Sequence, residues 1–239
     1  MGIFALLRRD DEAERTTREA LREARSGADE AEGGGALLRL VESFRDIGLD
    51  GRLAYSSARQ AARRAQRGRG RRRPAVAVRR LVRRHRRGVT LAGFLTGLGG
   101  IFTLPVLLPT NIFEFYVQTT RMVGAIAAVR GYDLEDPEVR ARVLAALMGE
   151  ESGDVLGSVG LGPVAGAASR QVAKRLPGTV ESQIAGALGG RILRRFGLRS
   201  VRLFGKAIPG LAGVVGAIAD RRQLNKIARA AQEIFPPLP

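Results

Sequence analysis

The chain has no cysteine and no tryptophan, a single histidine, and few aromatic residues. Without cysteine there is no disulfide, no thiol nucleophile and no thiolate metal site. One histidine, His85 inside the run Arg-Arg-His-Arg-Arg, cannot build a cluster of imidazole ligands. Acidic residues are also missing where basic ones are densest: residues 51 to 88 hold 15 arginines and no Asp or Glu. Strand signals are lacking as well, since no segment alternates apolar and polar residues between turn clusters.

What the chain does have is helical periodicity, small residues and an uneven charge. Its 239 residues are 45% apolar, with 31 glycines, which suits one core of closely packed helices. The net charge of +17 is localised. Residues 1 to 50 carry a net −4, residues 51 to 88 a net +15, residues 89 to 150 a net −2, and residues 151 to 239 a net +8. The N-terminal Met-Gly-Ile-Phe-Ala-Leu-Leu lacks the basic region and apolar length of a signal peptide, and Leu6 does not fit a myristoylation signal.

Residues 1–35 are rich in Arg, Glu and Ala and end in Gly33-Gly34-Gly35, which predicts a mobile charged tail. From 36 to 239 a single helical domain is expected, with a basic arm at about 52–88. Leu37, Leu38, Leu40, Val41, Phe44 and Ile47 recur at helical spacing, with Gly48 as the expected C-cap. A helix is expected over Tyr55 to Gln66, a linker over Gly68 to Pro74, and a further helix over Ala75 to Arg87.

Gly88 to Phe113 runs 26 residues without a charge. That exceeds the roughly 20 apolar residues a helix needs to cross a bilayer. Its glycines and the two prolines, Pro105 and Pro109, predict a division near Phe102 to Pro109. A buried hairpin and a shallow insertion therefore compete with a span.

Beyond it, Phe115, Thr119, Met122, Ile126 and Val129 form a helical stripe, and Glu114, Gln118 and Arg121 a polar ladder on the same helix. Gly131 ends that helix, and Asp136-Pro137-Glu138 starts the next, with Asp136 as N-cap and Pro137 at the first turn. Glu138 and Arg142 are expected to pair on its outer face. Glu150, Glu151 and Asp154 lack the alternating spacing of a calcium loop, and Gly157, Gly160 and Gly162 match neither a phosphate loop nor a dinucleotide fingerprint. No metal, no cofactor and no catalytic residue is expected.

Two basic surfaces suit an anionic partner. The first is carried by Arg71, Arg72, Arg73, Arg79, Arg80, Arg83 and Arg84, next to the uncharged stretch. The second is a stripe of Arg191, Arg195, Arg199 and Arg202, continued by Lys206 if its helix runs through Gly197. A solvated basic face is the plain alternative for both. Nucleic acid ranks behind anionic lipid because no aromatic residues are interleaved for base stacking. Asp220 falls among small and apolar residues on a helix face and needs a partner, for which Lys206 is nearest in sequence, with Glu114 as a second candidate buried polar group. A structural ion pair is the plain reading, and proton transfer or ligand binding the sharper one.

Taken together, Gly93-Phe-Leu-Thr-Gly-Leu-Gly-Gly100, Leu104-Pro105, Leu108-Pro109, Gly131-Tyr-Asp-Leu-Glu-Asp-Pro137, the segment Lys206 to Asp220 and the segment Ile227 to Phe235 resemble the EcsC family, over about Ala36 to Phe235. The resemblance implies a mostly helical bacterial protein, often membrane-associated, with no established reaction. The arginine-dense arm departs from the family pattern. The expectation is an all-α protein, cytoplasmic and peripheral to or partly inserted in the inner membrane. It would bind anionic lipid through arginine and take an apolar ligand among its glycine-rich helices. The alternatives are a hydrolase-like enzyme on a lipid-like substrate and a nucleic-acid-binding protein.

Overall fold

The computed structural model describes residues 30–51, 56–98, 100–162, 178–205 and 211–238. Among these the secondary structure is all helical, with no strand, as the periodicity predicts. The helices are α1 (Glu30–Asp50), α2 (Ala58–Ala65), α3 (Arg69–Arg72), α4 (Pro74–Leu98), α5 (Gly100–Val129) and α6 (Pro137–Ala146). A 3-10 turn (Gly149–Glu151), α7 (Ser152–Ser158), α8 (Gly178–Gly205) and α9 (Leu211–Ile234) complete the order.

The core gathers on α5, which α1, α2, α4, α6 and α9 all pack against. Phe44 of α1 meets Phe113 edge-on at 5.3 Å and stacks on Tyr116 at 5.4 Å. Leu144, Ile184, Leu188, Leu224 and Phe235 fill the remaining space. The longest helix contact is between α9 and α4, so the last helix covers the apolar side of the basic one.

Several local expectations change. The helix α1 begins at Glu30 and runs through Gly33-Gly34-Gly35, because extending an anchored helix adds one hydrogen bond per residue and outweighs a modest glycine cost. Gly48 lies inside α1, where a Cβ would stand 2.8 Å from Thr120, so it permits close contact with α5. The C-terminal glycine is Gly51, at φ 79°, whose N–H bonds Ile47 O at 3.1 Å. Gly68 to Pro74 is a helical turn, α3, rather than a linker: Arg80 donates to the carbonyls of Ala65 at 3.3 Å and Arg67 at 2.7 Å and draws it onto α4.

The uncharged stretch does not divide at Phe102 to Pro109, because helix α5 runs through both prolines. Pro105 and Pro109 lie four apart, so their missing N–H groups fall on one side of α5 and the rest of its ladder continues. No described helix is long and apolar enough to cross a membrane. The expected packing of side chains between 89 and 111 lies outside the described residues.

The α6 start is as predicted, with Asp136 accepting from the N–H of Glu138 at 2.8 Å and Pro137 following it. The Glu138–Arg142 pair forms, but inside the protein: the side chains are 10% and 4% exposed. Its helix is buried along nearly its whole length under α5, α8 and α9, which leaves no outer face for the pair.

Candidate functional site

Helix α4 is amphipathic by charge. Ala77, Val78, Leu81 and His85 are buried on one side, and Arg79, Arg80, Arg83, Arg84 and Arg87 are exposed on the other. Arg79, Arg83 and Arg87 lie four apart and Arg80 and Arg84 do likewise, so the two rows lie side by side on one face of the helix. Arg71, Arg72 and Arg73 are exposed on and just after α3. No carboxylate among the described residues pairs with any of the seven arginines expected here.

The fold enlarges this surface beyond those seven. Arg63, Arg64 and Arg67 at the end of α2 are exposed, and the clasp from Arg80 holds that end beside α4. Their helical spacing was legible, but their adjacency to α4 depends on the α3 turn. Arg59 stands apart because Asp133 and Glu135 bind it at 2.9 and 3.2 Å. The strip ends at Arg87, one residue before the uncharged stretch.

The second stripe is different. Helix α8 does continue through Gly197, which places Arg191, Arg195, Arg199 and Arg202 in register along one helix. Arg191 is largely covered and forms an ion pair with Glu151. The side chains of Arg195, Arg199 and Arg202 lie outside the described residues, as does Lys206. Glu150 pairs with Lys226 at 2.8 Å, whose hydrogen bond and charge hold that carboxyl below its usual pKa. Among the described residues no cluster of three or more candidate ligands could hold a metal ion.

A polar layer runs along α5. Gln118 donates to Glu114 Oε1 at 2.7 Å, Arg121 donates to Gln118 Oε1, and Arg121 Nη1 donates to Ser56 Oγ at 3.3 Å. The expected ladder therefore forms and extends to the residues before α2. Asp220 is 3% exposed on α9. Its expected pairing with Lys206 falls outside the described residues. His85, expected only as part of a basic run, is buried instead, and burial above all, followed by the charge of Arg121, lowers its pKa to about 4.

The model of the EcsC protein family matches residues 71–236, which takes in the α4 strip, the polar layer and α9. No curated protein and no solved structure matches the chain.

Proposed function

We propose, from the premise that this chain belongs to the EcsC protein family, that it is a non-enzymatic protein docking on anionic membrane surfaces through the arginine strip of α2, α3 and α4. One observation carries the reading: exposed arginines without carboxylate partners among the described residues lead directly into a 26-residue uncharged stretch. Guanidinium groups bind phosphate oxygens through paired N–H donors, and each basic side chain near an anionic bilayer contributes about 1 kcal/mol. A strip of such groups holds the protein at the headgroups while the adjoining helices α4 and α5 present the uncharged segment. Docking is peripheral in this reading, on the cytoplasmic face of the inner membrane. Arg195, Arg199 and Arg202 of α8 form a second contact, and an apolar ligand is accommodated among the glycine-rich helices.

Vesicle flotation tests it. Binding to vesicles containing phosphatidylglycerol, weak binding to phosphatidylcholine alone, and release by high salt are the expected results. Replacing Arg71, Arg72, Arg73, Arg79, Arg80, Arg83 and Arg84 with Gln removes the binding while far-ultraviolet circular dichroism stays nearly unchanged. Retention on DNA with no affinity for anionic vesicles sinks the proposal in favour of a nucleic-acid partner.

A further inference from the structure

Arg59 lies in the first turn of α2, four residues before Arg63, which in turn lies four before Arg67, so by spacing it belongs with two members of the cationic surface. Arg63 and Arg67 have no carboxylate partner among the described residues, whereas Arg59 is withheld. Asp133 Oδ1 stands 2.9 Å and Glu135 Oε1 3.2 Å from its Nη2. Both carboxylates belong to the loop between α5 and α6, and the core places them there. Leu134 between them is buried and packs against Gly124 of α5, as does Ala58 beside Arg59. The carboxylates themselves stay at the surface, 69% and 65% exposed against 47% for the arginine they hold.

This hold is easily released. Both contacts fall on the single nitrogen Nη2, so neither carboxylate takes the paired N–H donors with which a guanidinium grips an oxyanion best. Ion pairs between side chains this exposed add little to stability. The carboxylates also have other partners to fall back on. Asp133 Oδ1 accepts the N–H of Glu135 at 3.2 Å, and the second oxygen of Glu135, Oε2, stands 4.0 Å from Arg140 Nη1. A phosphate arriving at Arg59 can take Nη2 together with Nε or with Nη1, a fork that the loop leaves unused.

We infer that Arg59 is a further headgroup contact held in reserve: at an anionic membrane its guanidinium exchanges Asp133 and Glu135 for lipid phosphate, and the loop between α5 and α6 thereby limits how tightly the protein docks. The inference rests on the membrane-docking reading and adds to it the element that sets its strength. Arg59 and the loop act with opposite sign. Once exchanged, Arg59 adds one cation to the surface that meets the headgroups. Asp133 and Glu135 oppose docking in two ways, by occupying that cation and by bringing negative charge towards a surface of the same sign.

The test titrates the full chain and its variants with phosphatidylglycerol vesicles at neutral pH and low salt. Asp133→Asn with Glu135→Gln is expected to bind roughly fivefold tighter or more, the effect of one basic group freed near an anionic surface. Arg59→Gln is expected to bind more weakly than the natural chain, and in its background the two loop substitutions keep less than half of their gain, read as the logarithm of affinity. Glu150→Gln with Asp154→Asn is the charge-matched control. It removes two exposed carboxylates elsewhere and frees Lys226, and is expected to stay within about twofold of the natural chain. Every substituted side chain is exposed, so circular dichroism is expected to be unchanged in all of them. Unaltered affinity without the loop carboxylates, an equal gain in the control, or a gain that persists in full without Arg59 overturns the exchange. Absence of binding by the natural chain and by every variant is a different result, and overturns the docking reading together with the exchange built on it.

Discussion

Arg142 grips Glu138 from within the core, with Nε at 2.7 Å and Nη2 at 2.6 Å from the same carboxylate oxygen. Two charges one helical turn apart thus travel together into a place where neither could stay alone. Removing one partner leaves an uncompensated buried charge.

Glu138→Ala is therefore expected to lower stability by about 3 to 5 kcal/mol, measured by urea unfolding. Replacing both groups with apolar residues, Glu138→Leu with Arg142→Met, is expected to recover most of that loss. A double variant as unstable as the two single losses added together would show that the pair does not act as a unit.

The two glycines at the contacts of α5 should respond unequally to alanine. At Gly48 the new Cβ meets Thr120 Cβ and Cγ2 at 2.8 Å and the backbone carbonyl of Val117 at 3.0 Å. At Gly124 the closest atom is Leu49 Cδ2 at 2.3 Å, the end of a side chain that can turn away. Gly48→Ala is expected to cost about 1 to 3 kcal/mol, and Gly124→Ala to be partly rescued by Leu49→Ala. Thermal unfolding of the three variants decides the order.

Acid sensitivity has a second source besides His85. Burial alone would raise the pKa of Asp46, but the hydrogen bond and charge of Arg45, with those of Arg140, hold it below 3.8. A carboxylate with a depressed folded-state pKa contributes its stability above the unfolded value and loses it as pH falls through the folded one. Asp46→Asn should therefore be less stable than the natural chain at pH 7, with the gap narrowing as pH falls below about 4. A constant gap from pH 7 to 2, read by denaturant titration, would remove Asp46 from the acid response.

The C-terminal segment is fastened to the turn after α5. Arg130 donates to the carbonyls of Gln232 and Phe235, and Tyr132 donates to the carbonyl of Pro236 at 3.0 Å. Tyr132→Phe removes one neutral hydrogen bond and keeps the edge-on contact with Phe235 at 5.1 Å, so a loss of about 1 kcal/mol is expected. Arg130→Ala strips two carbonyls at once and is expected to cost more, with faster hydrogen exchange in the last turn of α9.

The features legible in the sequence are those that neighbouring residues decide among themselves. The helical class, the Asp136 cap with Pro137, the end at Gly131, the Glu114–Gln118–Arg121 ladder and the segregation of charge into residues 51 to 88 all follow from local spacing and composition. The sequence alone also sufficed for the family, because its short motifs are ordered along the chain. Only the tertiary structure decided which face of each helix is covered. That placed Glu138 and Arg142 inside, turned Gly48 from a cap into a contact, joined Arg191 to Glu151, and buried His85 beneath a run of arginines. Periodicity shows that two residues share a face, but burial depends on helices that arrive from far along the chain. A charged side chain reads alike in sequence whether its next neighbour in space is water or α5.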